Sequence, residues 1–462
     1  MRVACFALVV ALLAGCGQSN EGQVRGKPDP SSQKASAKAA KPKATETGQN
    51  VEQAEALVQR ATLLLRQRDL RGALQSLSQA IQLDPRNATA YARRAGIFAD
   101  LGRNAQAELD FKKAVALAPT DKSLRNMRGF FYLTRGSYER AIRDFTEAIR
   151  LDPKYAQPYN NRGLAWLAVG QVRKAIQDFD TALKVNRRYA DAYNNRGMAY
   201  LKLGKHDQAI ADFTRALEIN PEYITAYNNR GLAHYAAKKY EKAVIDFTEA
   251  IARDRNNPKY YRSRREAYLR LGQLAEAKAD AQKIAWLLEL ARLNRQIAQD
   301  PKSAEGYVKR AEHLAKGGET QIALASFKAA IKVDPKSART YSARAAFWYQ
   351  QGEFDRAIAD CTKAIQIEPH YEAYSVRGDA YLKKGLYDQA IADYQKAKRL
   401  DVMVARAYYL RSQLRKKQGR MKEAAEDLKR ALQIDPSLNQ AGASQESTRV
   451  EPSPESRKGK RQ

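Results

Sequence analysis

Ala192-Tyr193-Asn194-Asn195-Arg196-Gly197, followed by Ala209-Ile210-Ala211-Asp212-Phe213, is one copy of a pattern that runs through almost the whole chain. Its arginine belongs to a series, Arg60, Arg94, Arg128, Arg162, Arg196, Arg230 and Arg264, with 34 residues between neighbours. After one interruption the series resumes at Arg310, Arg344, Arg377 and Arg411. A fixed period of this length means a stack of one supersecondary unit, each copy covered by its neighbours. That points to a binding scaffold rather than an enzyme.

With each repeat begun six residues before its arginine, position 20 is alanine in all eleven copies and position 27 in ten, Ile284 being the exception. Position 24 is large and apolar in most copies, as in Phe145, Phe179, Phe213, Phe247 and Tyr394, while position 8 is small, as in Gly163, Gly197 and Gly231. Positions 4, 8 and 11 share one helical face, and so do 20, 24 and 27. Glycine at position 15 breaks the chain between the two stretches, and proline near position 32 ends the second. Small residues at 8 and 20 let two antiparallel helices approach, and the aromatic at 24 fills the remaining gap. The unit is a helix–turn–helix hairpin.

These residues resemble the tetratricopeptide repeat over about residues 54–438. The resemblance implies an all-α solenoid, a right-handed superhelix of eleven repeats with a concave groove lined by the first helix of each. It also implies partners that are peptides or proteins, with positions 2, 5, 6, 9, 12 and 13 tending to face the groove.

Both ends depart from the pattern. An apolar run from Val3 to Leu13 is too short to span a bilayer, which takes about 20 residues, and suits a signal peptide over residues 1–15. Its ending, Leu13-Ala14-Gly15-Cys16, resembles a bacterial lipobox, which implies cleavage before Cys16 and a lipid attached to it. Gly17 and Gln18 follow without the aspartate that retains some lipoproteins at an inner membrane, so in a diderm cell the anchor is expected in the outer membrane, facing the periplasm. Residues 16–50, rich in Ser, Ala, Lys, Gly and Pro, are expected to form a disordered tether with a reach of roughly 30 Å, and residues 439–462 a disordered tail. Cys361 takes an aromatic core position and reads as a buried, inert thiol.

The interruption adds twelve residues to the regular step, and neither glycine nor proline occurs from Gln273 to Asp300. The second helix of repeat 7 is therefore expected to run on unbroken. Twelve residues extend a helix by roughly 18 Å and turn its face by about 120° beyond whole turns. The expected division is residues 51–300 with repeats 1–7 and residues 301–438 with repeats 8–11, the second segment set at an angle to the first. Trp286, Leu287, Leu288, Leu290, Leu293 and Ile297 on the long helix need a cover, most simply from packing between the segments.

Position 23 is aspartate in nine of the eleven repeats, sixteen residues after each arginine. Such a matched ladder reads as structural pairing rather than a track for anions. Binding is expected instead in repeats 4–6, where Asn160-Asn161, Asn194-Asn195 and Asn228-Asn229 occupy positions 5 and 6. An amide both donates and accepts, so a row of them can hold an extended peptide backbone whatever its sequence. Leu164, Met198 and Leu232 at position 9 would add apolar contacts. The net charge is +30, of which +24 falls on the repeats, and a cluster of Arg406, Arg415, Lys416, Lys417 and Arg420 offers an alternative partner class, an anionic polymer or membrane surface. Arg253, Arg255, Lys259, Arg262, Arg265 and Arg270 form a second basic group.

Catalysis has no foothold: His206, His234, His313 and His370 are scattered, and neither metal spacing nor a phosphate-cradling glycine loop occurs. No cofactor or metal is expected, and nucleic acid is not an expected partner. The sequence thus describes a non-catalytic scaffold of a bacterial cell envelope that docks other envelope proteins through peptide segments and is held at the membrane by the lipid on Cys16.

Overall fold

The computed structural model describes residues 44–438, which form 22 helices in eleven hairpins. In chain order these are α1 (Ala44–Arg66) with α2 (Leu70–Leu83), α3 (Ala88–Asp100) with α4 (Asn104–Leu117), α5 (Lys122–Thr134) with α6 (Tyr138–Leu151), and α7 (Ala156–Ala168) with α8 (Val172–Val185). Then come α9 (Ala190–Lys202) with α10 (His206–Ile219), α11 (Ile224–Ala236) with α12 (Tyr240–Arg253), and α13 (Pro258–Arg270) with α14 (Leu274–Gln299). The last four are α15 (Ala304–Lys316) with α16 (Thr320–Val333), α17 (Ala338–Gln350) with α18 (Phe354–Ile367), α19 (Tyr371–Lys383) with α20 (Tyr387–Lys396), and α21 (Val402–Lys417) with α22 (Met421–Ile434). No strand occurs among the described residues. The signal segment, Cys16, the tether up to residue 43 and the tail from 439 lie outside them. Composition places the end of the tether at residue 50, but helix begins at Ala44, so α1 carries an extra stretch ahead of the first repeat.

Each hairpin turns through a left-handed residue at position 15. Nine are glycines, from Gly102 at φ 72° to Gly419 at φ 76°, and Arg68 and Lys238 take the same conformation in the repeats that lack glycine. The first helix of the second repeat shows why the turn is sharp: Arg103 N–H bonds Phe98 O and Gly102 N–H bonds Ala99 O, the paired closure of a Schellman motif.

Within a hairpin the glycine at position 8 meets the ring at position 24. A Cβ on Gly163 would lie 2.5 Å from Phe179, and one on Gly197 2.8 Å from Phe213. The rings of Phe145, Phe179, Phe213, Phe247 and Phe327 are fully buried. Repeat 7 reverses the sizes, with Arg265 at position 8 and Ala281 at position 24.

The arginine–aspartate ladder links the two helices in nine of the hairpins. Arg162 donates Nε and Nη2 to Asp178 at 2.8 and 2.7 Å, and Arg128, Arg196, Arg264, Arg377 and Arg411 bind their aspartates in the same bidentate way. The remaining Nη1 reaches back to the preceding repeat, from Arg162 to Thr146 and from Arg196 to Asp180. Most of these guanidiniums also pack over the tyrosine three residues earlier, as Arg196 does over Tyr193 and Arg377 over Tyr374. The Asp144 carboxylate holds Arg128 above its ordinary pKa. The ladder is frame, and its charge is balanced internally.

The fold divides into two compact units, one ending at Ala281 and the other beginning at Gln282. The division falls inside α14 and not at the expected 300/301 boundary. The reason is register. α14 is 26 residues long where the other complete second helices have 14, and its two halves serve different repeats. Asp280 pairs with Arg264 of hairpin 7, whereas Asn294 accepts from Arg310 Nη1, the place that Thr146 takes for Arg162. Trp286 and Leu290 pack on the core of α15–α17, with Leu287, Leu293 and Ile297 buried and Leu288 half exposed. Trp286 stacks on His313 at 5.2 Å and donates Nε1 to its carbonyl, while His313 Nε2 donates to the Trp286 carbonyl. Cys361 is buried, and burial pushes its thiol up to about 12.

Candidate functional site

The asparagines of repeats 4–6 are brought together, but toward one another. Asn195 donates Nδ2 to Asn160 Oδ1 at 2.9 Å, and Asn229 donates to Asn194 Oδ1 at 2.9 Å. The same step starts one repeat earlier, where Asn161 donates to Asn126 Oδ1 at 3.0 Å. Position 6 of one repeat thus bonds position 5 of the repeat before. Within a repeat, Asn160 and Asn194 donate more weakly to Asn161 and Asn195, at 3.4 and 3.3 Å. Asn160, Asn161, Asn194 and Asn229 are buried, and only Asn195 and Asn228 are half-buried. The reading of a row of amides presented to a peptide is therefore corrected: most of the row is committed to holding hairpins together.

The ladder ends at repeat 6. Position 6 of repeat 7 is Ser263, and the Oδ1 atoms of Asn228 and Asn229 are buried without a hydrogen-bond partner. Tyrosines at the last position of the repeats close one side. Tyr155 accepts from Asn126 at 3.4 Å and donates to Gln157 at 2.9 Å, and Tyr223 donates to Asp191 at 2.8 Å. Burial pushes the phenol of Tyr189 up to about 12, Asp191 adding to the effect. That phenol is neutral at any physiological pH.

At position 9, beside the ladder, the residues are apolar. Leu164, Met198 and Leu232 are half-buried, each packed against a hairpin core. Phe130 stands at the same position 9 in repeat 3 and is 47 % exposed. The four make one row across four consecutive first helices. Sequence reasoning passes over Phe130 and Asn126 because it searches for paired asparagines, and repeat 3 has Met127 at position 6. The signal is there in the period alone.

The basic cluster of the last repeat is only partly free. Arg415 binds Asp427 at 2.8 Å with Glu423 and Asp388 at 3.5 and 3.7 Å, and Arg420 binds Glu423 at 2.8 Å. Those two leave the expected patch. Arg406, Lys416 and Lys417 stay exposed, with no ion pair to a described residue. In the second group, Arg253 is held by Glu249 and lies over Tyr227, Arg265 binds Glu266, and Arg270 donates to Tyr235. Among the described residues no group of His, Cys, Asp and Glu could hold a metal ion, and no helix is long and apolar enough to cross a membrane. A shallow depression of about 460 Å³ beside His206, Asp207 and Lys239 contains none of the candidate residues.

The repeated hairpins, the left-handed turn and the small-against-aromatic contact define a helical-repeat scaffold protein. Family models described as tetratricopeptide repeat match residues 58–122, 190–223, 224–257, 308–372 and 375–439, and one described as TPR repeat matches 129–170 and 167–204. The chain belongs to the tetratricopeptide-repeat family. Solved structures of similar fold include that of PilF from Pseudomonas aeruginosa, at 19% identity with a TM-score of 0.42, covering 47% of this chain and 99% of that one. PilW, described as a widely conserved type IV pilus biogenesis factor, matches at 21% identity and a TM-score of 0.41, covering 43% and 92%. YrrB, described as a TPR protein with an unusual peptide-binding site, matches at 20% and 0.33, covering 40% and 96%. These likenesses concern the fold of part of the chain. No curated protein matches the sequence significantly.

Proposed function

We propose that the chain is a non-catalytic scaffold of a bacterial cell envelope that grips extended peptide segments of partner proteins on the first-helix face of repeats 3–6. The supporting observation is the apolar row Phe130, Leu164, Met198 and Leu232, set in fixed register by the amide ladder beside it. A solvated phenylalanine continuing a row of half-buried aliphatics has no packing role on its open side, and a row with one apolar side chain per hairpin suits an extended segment that crosses the hairpins in turn. The lipid expected on Cys16 would hold the array at the membrane, at the periplasmic face of the outer membrane in a diderm.

The test is crosslinking in cells. A photoreactive residue at position 198 should capture a small set of envelope proteins, and adding Phe130→Glu should lose them while thermal unfolding stays unchanged. Recovery of the same partners in the same amounts from Phe130→Glu would overturn the reading. Cys16→Ser should abolish incorporation of labelled fatty acid into the chain.

A further inference from the structure

The turn between α20 and α21 is built unlike the other turns between hairpins. Position 32 carries Val402 in place of the usual proline, and α20 stops after 10 residues where most second helices have 14. Asp401 caps α21 by accepting from Met403 N–H at 2.9 Å and Val404 N–H at 3.3 Å, which starts that helix three residues ahead of its repeat. The chain must therefore cross in five residues, 397–401, with Lys398 in the left-handed region at φ 50°.

The crossing is pinned from below. Arg399 donates Nη1 to Ser375 and to Asp379, both at 2.8 Å, and pairs with Asp401, while Tyr394 donates its hydroxyl to Asp379 at 2.8 Å. An anchored arginine on one side forces its neighbour to the other. Leu400 is 81 % exposed and Val402 63 % exposed, a protruding apolar tip on a fixed loop.

Cations surround this tip. Lys396, Lys398 and Arg406 are exposed, and Arg406 follows Val402 by one helical turn on the same face of α21. Lys398 Nζ lies 5.4 Å from the ring of Tyr371, itself 56 % exposed, so an aromatic of the kind that favours a water–lipid boundary stands at the base of the tip. Of the acids at hand, Asp401 is engaged by Arg399 and the helix cap, and Glu372 lies 4.0 Å from Arg339.

We propose that this knuckle is a membrane contact, with Leu400 and Val402 entering the acyl boundary of an anionic leaflet and Lys396, Lys398 and Arg406 lying against headgroup phosphates. Two apolar side chains are far too small a patch for a stable protein interface, which takes about 1,000 Å². They suit a lipid surface, where apolar insertion and charge attraction act together. A soluble polyanion would use the cations and leave Leu400 idle. The contact is independent of the first-helix row in repeats 3–6, and either can fail without the other.

The experiment uses the chain from Gly17 onward, which keeps every described residue and omits the apolar leader and Cys16. It is sedimented with vesicles of phosphatidylethanolamine and phosphatidylglycerol, or of phosphatidylcholine alone. Binding is expected to the anionic vesicles and not to the neutral ones. Leu400→Glu should weaken it by about 10- to 100-fold, and Lys398→Gln by about five-fold. Because these side chains are solvated, thermal unfolding should not move. In a Leu400→Trp variant the added emission should shift to the blue on anionic vesicles and be quenched by brominated acyl chains. Absence of vesicle binding overturns the proposal. So does binding that Leu400→Glu leaves intact or that leaves the Leu400→Trp spectrum unmoved, since the patch then acts through charge alone. Loss of crosslinked protein partners with unchanged vesicle binding in Leu400→Glu overturns it in favour of a protein contact.

Discussion

Replacing Asn195 by alanine separates a ladder that holds the stack from one that holds a ligand. Asn195 donates to Asn160 Oδ1 at 2.9 Å and accepts from Asn194 Nδ2 at 3.3 Å, and both partners are buried. Alanine leaves the Asn160 carbonyl without its donor in a place water does not reach, which costs about 1–3 kcal/mol. The longer bond adds little. A value near 2 kcal/mol corresponds to roughly thirty-fold more frequent opening of the joint between repeats 4 and 5. The converse substitution is available where the ladder stops. Ser263→Asn places an amide one repeat beyond Asn228, whose Oδ1 is buried and unpartnered, and should stabilise the joint of repeats 6 and 7 by about 0.5–1.5 kcal/mol. A stacked array need not unfold in one step, so hydrogen exchange resolved to α7, α9, α11 and α13 is the suitable assay. Protection should fall in α7 and α9 for Asn195→Ala and rise in α11 and α13 for Ser263→Asn. Unchanged protection in both variants, with loss of partner crosslinks in Asn195→Ala, would refute the structural assignment and return the asparagines to ligand binding.

Three further perturbations test the frame. Asp246→Asn leaves Arg230 facing a neutral amide in a pair whose acid is 3 % exposed, and should cost about 3 kcal/mol, measured as lost protection of α11 and α12. Gly163→Ala drives a methyl into the Phe179 ring and should cost about 1–3 kcal/mol, while the double variant with Phe179→Leu should recover part of it in chemical denaturation. His234 stands where repeats 3, 5 and 7 carry Tyr132, Tyr200 and Tyr268, and its Nδ1 is buried without a partner. Burial lowers its pKa against the opposing pull of Asp246, with Arg230, Lys242 and Lys239 lowering it further. The unfolded chain then binds more protons than the folded one, so stability is present above the ordinary imidazole pKa of about 6.5 and is lost as pH falls through the folded value. Protection of α11 and α12 should start to drop as pH falls below about 6.5, and His234→Tyr should abolish that drop; an equal drop in the variant would place the acid sensitivity elsewhere.

The hairpins were fully legible because each depends on a few residue types with one physical use. A left-handed turn selects glycine at position 15, and Gly163 against Phe179 requires the smallest residue opposite the largest. The long helix was legible too, from the lack of any breaker over 273–300. Its sharing between two repeats was not, since Asn294 reveals its register only when Arg310 is seen to reach it. The site was legible in position and not in direction. Aligning Asn160, Asn194 and Asn228 places them together, but period alone does not say whether an amide meets the next helix or the solvent. Charge counts failed at Arg415 for a similar reason: a count does not show pairing, and Asp427 of the same hairpin meets it at 2.8 Å while Asp388 of the preceding hairpin lies at 3.7 Å. The start of α1 at Ala44 was hidden because residues 44–50 have no apolar periodicity.

A stack of near-identical hairpins has a problem that a globular core does not. The arginine, its aspartate, the small residue and the ring recur in almost every copy, so a hairpin docked on the wrong neighbour would satisfy nearly all of them. The amide ladder distinguishes the copies. Asn126 opens it as an acceptor whose own repeat has Met127 at position 6, and Ser263 closes it by supplying no amide to Asn228. A stack that skipped repeat 3 would set the Asn161 amide against Ala92, and one that skipped repeat 6 would set Ser263 against Asn194, each leaving a buried polar group unpaired at about 1–3 kcal/mol. Polar groups buried at single positions are known to fix register in coiled coils at some cost in stability, and the same logic suits a solenoid. On this view the asparagines do serve binding, at one remove: they keep Phe130, Leu164, Met198 and Leu232 in one unbroken row, and a partner reads the row.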